Sequence, residues 1–128
     1  EEAENERMHL MIFIQIAKPN WFERWMIILA QFLFWHFYMV LYIFFPKVAH
    51  RMVGYFEEQA VISYTEYLKE IDEGRAENIP APTIAKNYYA LNEDATLRDV
   101  VIAVREDERG HAQVNHNMAD TLKRAKNL

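Results

Sequence analysis

The sequence predicts an all-α bundle, and three observations predict it. Among 128 residues there are only 3 Gly and 4 Pro, too few for a turn-rich sheet protein. The prolines, at 19, 46, 80 and 82, separate long apolar or helix-periodic runs. Two Glu-x-x-His pairs, Glu6–His9 and Glu108–His111, stand near opposite ends of the chain. Residues three apart lie about one turn apart on one helix face, so each pair can aim a carboxylate and an imidazole at a common point. Such pairs, joined by single glutamates from two other helices, are the ligand set of a ferritin-like four-helix bundle with a di-iron carboxylate site. A chain of this length holds one domain with a modest core, so residues 1–128 read as a single helical domain.

Taken in order, residues 4–17 read as the end of a first helix, A. Lys18-Pro19-Asn20 stops it, because a residue before proline resists the helical region. Helix B runs from about Trp21 to Phe45 and ends at Pro46. Helix C starts near Lys47 and continues to about Ile71, and Asp72-Glu73-Gly74-Arg75 is a turn. Residues 76–95 lack a clear period and read as a long connector, with one short helix near Ile84–Tyr89. Helix D begins near Ala95-Thr96, with Thr96 as N-cap and Asp99 in the first turn, and runs to about Lys126. Gly110 costs roughly 1 kcal/mol against alanine inside that helix, which suggests room for a close neighbour.

Helix B is apolar on all sides from Met26 to Phe45, apart from Gln31, His36 and tyrosine hydroxyls. Twenty residues at 1.5 Å each make roughly 30 Å, enough to span a bilayer. Arg24 and Lys47 flank both ends, which removes any positive-inside asymmetry, and helices A, C and D carry charges through their middles. The expectation is a bundle that buries most of helix B and rests other apolar surface on the membrane interface. Helical rise supports a bundle: with short loops, Glu57 on helix C comes level with Glu6 on helix A, within about a turn.

The spacing of the Glu-x-x-His pairs is weak evidence alone, since roughly one sequence in ten of this composition would carry two by chance. Their context adds weight: both pairs lie in segments with apolar faces. On helix C, His50, Glu57 and Tyr64 are seven apart and form one stripe. The plain reading of that stripe is a polar seam. The sharper reading makes Glu57 a metal ligand, Tyr64 a phenol able to give up an electron and a proton, and His50 a hydrogen-bonding partner that orients a ligand. Asn5 and Arg7 flank Glu6, and Asp107 precedes Glu108. Arg7 and Asp107 are expected to pair across the site, since buried carboxylates need partners.

Net charge is -5 with no basic run, which argues against nucleic acid as a partner. The absence of cysteine excludes disulfides, thiolate metal sites and iron–sulfur clusters. A metal here is held by oxygen and nitrogen, which suits iron, manganese or zinc. The chain opens on glutamate with no visible signal or transit peptide, and it reads as cut from within a longer sequence.

Asn-Glu-Arg-Met-His-Leu at 5–10, Gly-Tyr-Phe-Glu-Glu-Gln-Ala at 54–60 followed by Ser63-Tyr64-Thr65, Ile-Pro-Ala-Pro at 79–82, Arg-Glu-Asp-Glu-Arg-Gly-His at 105–111 and Val-Asn-His at 114–116 together resemble the alternative oxidases. The likeness runs through essentially the whole chain in order. It implies a membrane-bound, non-haem di-iron enzyme that oxidises ubiquinol and reduces O2 to water without pumping protons. It implies two iron ions held by Glu6, His9, Glu57, Glu108 and His111, and a redox tyrosine at Tyr64. Asn5, Arg7, His50, Tyr88 and Asp107 would support the ligands, and quinol would bind along Phe56, Gln59, Ala60 and Ser63. The family lies on one leaflet as a homodimer, at the matrix face of the mitochondrial inner membrane or the cytoplasmic face of a bacterial one. Its first ligand is a glutamate on a helix upstream of Glu6, so the resemblance implies a bundle missing its first helix here, and a chain inactive alone. Gln59 stands where a glutamate is usual, Tyr89 where a tryptophan is common, and Gly110 where the residue is larger. The rival readings are another membrane-associated di-iron enzyme, such as a quinone hydroxylase, and a metal-free helical membrane interaction protein.

Overall fold

The computed structural model describes residues 2–125, and among these the fold is all-α. Five helices follow in order: α1 (Glu2–Ala17), α2 (Trp21–Phe44), α3 (Pro46–Asp72), α4 (Thr83–Tyr89) and α5 (Leu97–Ala125). The chain forms two compact units, Glu1–Lys18 with Glu57–Gly110, and Pro19–Phe56 with His111–Leu128.

The first unit is built around α1, the later part of α3, α4 and the start of α5. Helix α1 stops at Lys18, which turns to φ 47 and donates its N–H to the Ile14 carbonyl at 3.0 Å. Ile12 of α1, Ala85 of α4 and Val100 and Val104 of α5 are fully buried and share one apolar cluster. Leu68 and Ile71 of α3 pack with Leu97 and Val101 of α5 in a second, and Ile16 and Tyr64 touch both. The connector after α3 is pinned by backbone: Ala81 N–H to Ala95 O at 2.9 Å and Leu97 N–H to Ile79 O at 2.8 Å, around a bridge between Pro80 and Thr96. Asp99 closes the start of α5 by accepting from the Thr96 N–H at 2.8 Å, so the first turn begins where Thr96 and Asp99 predict. The Arg98 guanidinium reaches back to Asp72 at the end of α3.

In the second unit, α2 opens on a capping box: the Glu23 N–H donates to Asn20 Oδ1 at 3.0 Å and the Asn20 N–H to Glu23 Oε2 at 2.8 Å. Pro46, expected only to end this helix, is instead the first residue of α3, where a missing N–H costs nothing. Ala49 and Gly54 of α3 and Ala112, Asn115 and Ala119 of α5 are buried. At Gly54 a Cβ would stand 2.7 Å from Cε1 of His116, so that ring takes the space a side chain would need.

Two expectations are corrected. Helix α2 is not buried: none of its residues is, and Trp21, Trp25, Phe32, Trp35 and Phe44 are among the large apolar side chains it exposes. Its composition fits a buried helix and an unpartnered one equally, and composition cannot say which neighbours arrive. It is also the one helix among the described residues long and apolar enough to cross a membrane. Second, Gly110 has no close neighbour: nothing lies within 4 Å of where its Cβ would be. Gly110→Ala is therefore expected to stabilise the protein by about 1 kcal/mol, read from the urea midpoint, with no steric term to offset it.

Candidate metal centre

The centre begins on α1, where Asn5 and Glu6 precede His9 by about one turn, and on α5, where Asp107 and Glu108 are adjacent. His9 is 4% exposed. Its Nε2 lies 3.1 Å from Asp107 Oδ2 and 3.0 Å from Tyr89 Oη. Its Nδ1 faces the other way, 3.3 Å from Glu108 Oε1 and 3.7 Å from Glu6 Oε1. Carboxylate oxygens of Glu6 and Glu108 lie within 4.8 Å of each other. His111, one turn along α5 from Glu108, belongs to the second unit. Glu57 and Glu108 are both buried.

Asp107 is the anchor of this arrangement. Its Oδ2 accepts from Tyr89 Oη at 2.7 Å and from Asn5 Nδ2 at 2.9 Å, besides facing His9. Burial works against its charge, yet the hydrogen bonds from Tyr89, Asn5 and His9 hold its carboxyl below the usual range. Asn5 Nδ2 also donates to Tyr88 Oη at 2.8 Å. Helix α4 delivers both tyrosines because it ends at once, with Ala90 turning to φ 50. Tyr64 stacks on Phe13 at 5.7 Å, and burial, with the charges of Glu108 and Glu6, raises its phenol well above the ordinary value.

His9 carries the sharpest pH signature. Burial opposes its charge, but hydrogen bonds to Glu108, Glu6 and Asp107 outweigh burial and push it from 6.5 up to about 10. A folded value above the unfolded one adds stability that is fully present below about pH 6.5 and is lost as pH rises toward about 10. Metal-free protein should therefore lose stability across that window, by at most about 1.4 kcal/mol per pH unit from this proton. Urea midpoints taken across the window check this. A flat profile, or one unchanged by His9→Gln, would contradict it.

The other expected site residues are distributed as follows. Arg7 does not meet Asp107: it is exposed and pairs with Glu4 at 2.6 Å, one turn back on its own helix. That i,i+3 partner is nearer than anything across the site. His50 lies in the second unit, where its Nδ1 bonds Asn115 Oδ1 at 2.9 Å and Tyr42 meets its ring edge-on. It borders a cleft of about 460 Å³ also lined by Tyr42, Pro46, Val114, Met118 and Leu122. Phe56, Gln59, Ala60 and Ser63 share one face of α3, and all but the half-buried Ala60 are exposed. Tyr89 was missed as a contributor, because its contacts join residues 80 and 18 positions away and no local spacing announces them.

Residues 1–120 match the sequence profile of the family described as alternative oxidase. The chain belongs to the alternative oxidase family. Among its alternative oxidase relatives, ubiquinol oxidase 1c, mitochondrial, of Arabidopsis thaliana is 59% identical over 120 residues, which is 94% of this chain and 36% of the relative. Ubiquinol oxidase 2, mitochondrial, of Nicotiana tabacum is 58% identical over 120 residues, 94% of this chain and 40% of the relative. The mitochondrial ubiquinol oxidase of Mangifera indica is 52% identical across all 128 residues and 40% of its own length. The chain thus spans about two-fifths or less of the curated alternative oxidases it matches. For an alternative oxidase, the donor set around His9 is coherent: hard carboxylates and an imidazole, with no thiolate in the chain.

Proposed function

We propose that these residues supply the iron-binding part of a ubiquinol oxidase that reduces O2 to water without pumping protons. All 128 residues would belong to one helical di-iron oxidase domain of a longer protein. The observation that carries the reading is the orientation of His9. Its Nε2 is engaged by Asp107 and Tyr89, and its Nδ1 is turned toward two carboxylates. Three carboxylates, Glu6, Asp107 and Glu108, surround this one imidazole, so negative charge exceeds what it can balance. Such a cluster, half buried, favours bound cations. Glu6, His9, Glu57, Glu108 and His111 would hold two irons, which would supply the one-electron steps that couple quinol oxidation to dioxygen reduction.

The residues of the chain then divide the work. Asp107, with Asn5 and Tyr88 behind it, holds the His9 ring. His50 braces the α5 backbone through Asn115, whose Nδ2 reaches the His111 carbonyl at 3.2 Å. Tyr64 keeps its phenolic proton at neutral pH, so an electron leaving it takes that proton along. Phe56, Gln59, Ala60 and Ser63 would line the quinol path on α3. The exposed aromatic surface of α2 supports seating at a membrane interface and leaves area for a homodimer contact. The names of the relatives say mitochondrial, and the matrix face of the inner membrane is the location we assign.

An oxygen-electrode assay of the full-length protein with ubiquinol tests this. Electron balance requires two quinols per O2, with two quinones and two waters formed. Hydroxylated quinone as product, or no quinol-dependent uptake, would overturn it.

A further inference from the structure

We infer that Gly54 and His116 are positioning residues: the His116 ring sits in the gap left by Gly54, locks α5 to α3 within the second unit, and so fixes His111. The metal role of this lock rests on the di-iron reading, in which His111 is a ligand. The ring turns its nitrogen-bearing edge onto Gly54. A Cβ there would stand 2.7 Å from Cε1 and 2.9 Å from each ring nitrogen, where ordinary contact begins at 3.4 Å. Glycine is therefore the residue that leaves this ring its place. Arg51, about one turn before Gly54 on α3, donates from Nη1 to His116 Nδ1 at 2.8 Å. A guanidinium has no acceptor, so Nδ1 is the accepting nitrogen. The other arm of the guanidinium pairs with Asp120, one turn past His116 on α5. Tyr55 meets the ring edge-on at 5.0 Å.

Two successive residues of α3 thus grip two successive residues of α5: His50 meets Asn115, and Arg51 meets His116. Asn115 is 3% exposed, and its Nδ2 donates to the His111 carbonyl at 3.2 Å, which carries the grip to the turn that bears His111. A methyl at Gly54 would drive the ring out of its seat. That shift is not cheap, because Arg51 and Tyr55 hold the ring from other sides. Removing the ring frees the space for the methyl, so the two positions are coupled by size.

The test is anaerobic Fe(II) titration of the full-length protein against a competing chelator, with the d–d spectrum of the Co(II)-loaded form and a thermal melt. Gly54→Ala and His116→Ala are each expected to weaken Fe(II) binding about 10-fold or more, the usual effect of losing a ligand's orienting support, and to shift the Co(II) bands. The double variant should bind like His116→Ala alone, because the methyl then meets no ring. Wild-type affinity and spectrum in folded Gly54→Ala or His116→Ala protein would overturn the positioning role while leaving the di-iron reading intact, even if the melt falls. Losses that multiply in the double variant would overturn the size coupling. Should Gly54→Ala not fold, His116→Ala and the double variant decide: equal binding supports the lock, and a further loss in the double removes it. No Fe(II) binding by the wild-type protein would sink the di-iron reading, and the metal role of the lock with it.

Discussion

Glu108→Gln in the full-length protein is expected to abolish stoichiometric iron loading and to cut quinol-dependent O2 uptake by about a thousandfold or more. Removing one preorganised donor from an oxyanion hole already costs about 10²–10³, and this change removes a whole charge together with a contact between α1 and α5. Glu108 is 6% exposed and faces His9 Nδ1 at 3.3 Å. It is the carboxylate near which Glu6 from α1 brings a ligand atom. The amide fills the same volume, so the fold should survive, but it carries no charge and can offer N–H groups where a cation would sit. Metal analysis and oxygen uptake on the same preparation check this. Two irons per chain and an unchanged rate in the variant would reduce Glu108 to a buried packing residue.

Tyr64→Phe should separate chemistry from assembly. The ring that stacks on Phe13 is kept, and Tyr64 packs against both apolar clusters through that ring, so stability should change by less than about 1 kcal/mol. Iron content should be unchanged. The rate should fall about a hundredfold or more, the low end for losing a positioned proton-transfer group. The physical reason lies in burial and in the field of Glu108 and Glu6, which together hold the phenolic proton in place. Negative neighbours that oppose loss of the proton alone favour loss of an electron, so the two leave together. A Tyr64→Phe protein with full oxidase activity would remove this tyrosine from the reaction.

The helices were legible because their punctuation is local. Pro19, Pro46 and Pro82 mark helix ends or starts, and Thr96 with Asp99 marks the opening of α5, as backbone chemistry requires. The residues gathered at His9 were legible in part, because Glu6 and His9 form a one-turn pair that helix geometry alone places on one face. What could not be read was tertiary. The exposure of α2 depends on which surfaces reach it, and an all-apolar helix looks the same buried or bare. Arg7 was expected across the site, but a carboxylate one turn away on its own helix won. Tyr89 acts over 80 residues to His9, and only the folded connector and the abrupt end of α4 bring it there. The space at Gly110 and the crowding at Gly54 are alike invisible in sequence, since both are glycines within helices and only their neighbours differ.

We propose that Glu6, His9, Glu57, Glu108 and His111 share two metal ions. Anomalous diffraction at the iron edge, on crystals of the full-length protein loaded with Fe(II), measures this directly. Two adjacent peaks are expected at bonding distance from the carboxylates of Glu6, Glu57 and Glu108, with the imidazoles of His9 and His111 turned toward them. Peaks elsewhere, or no iron in a preparation that still oxidises ubiquinol, would contradict it.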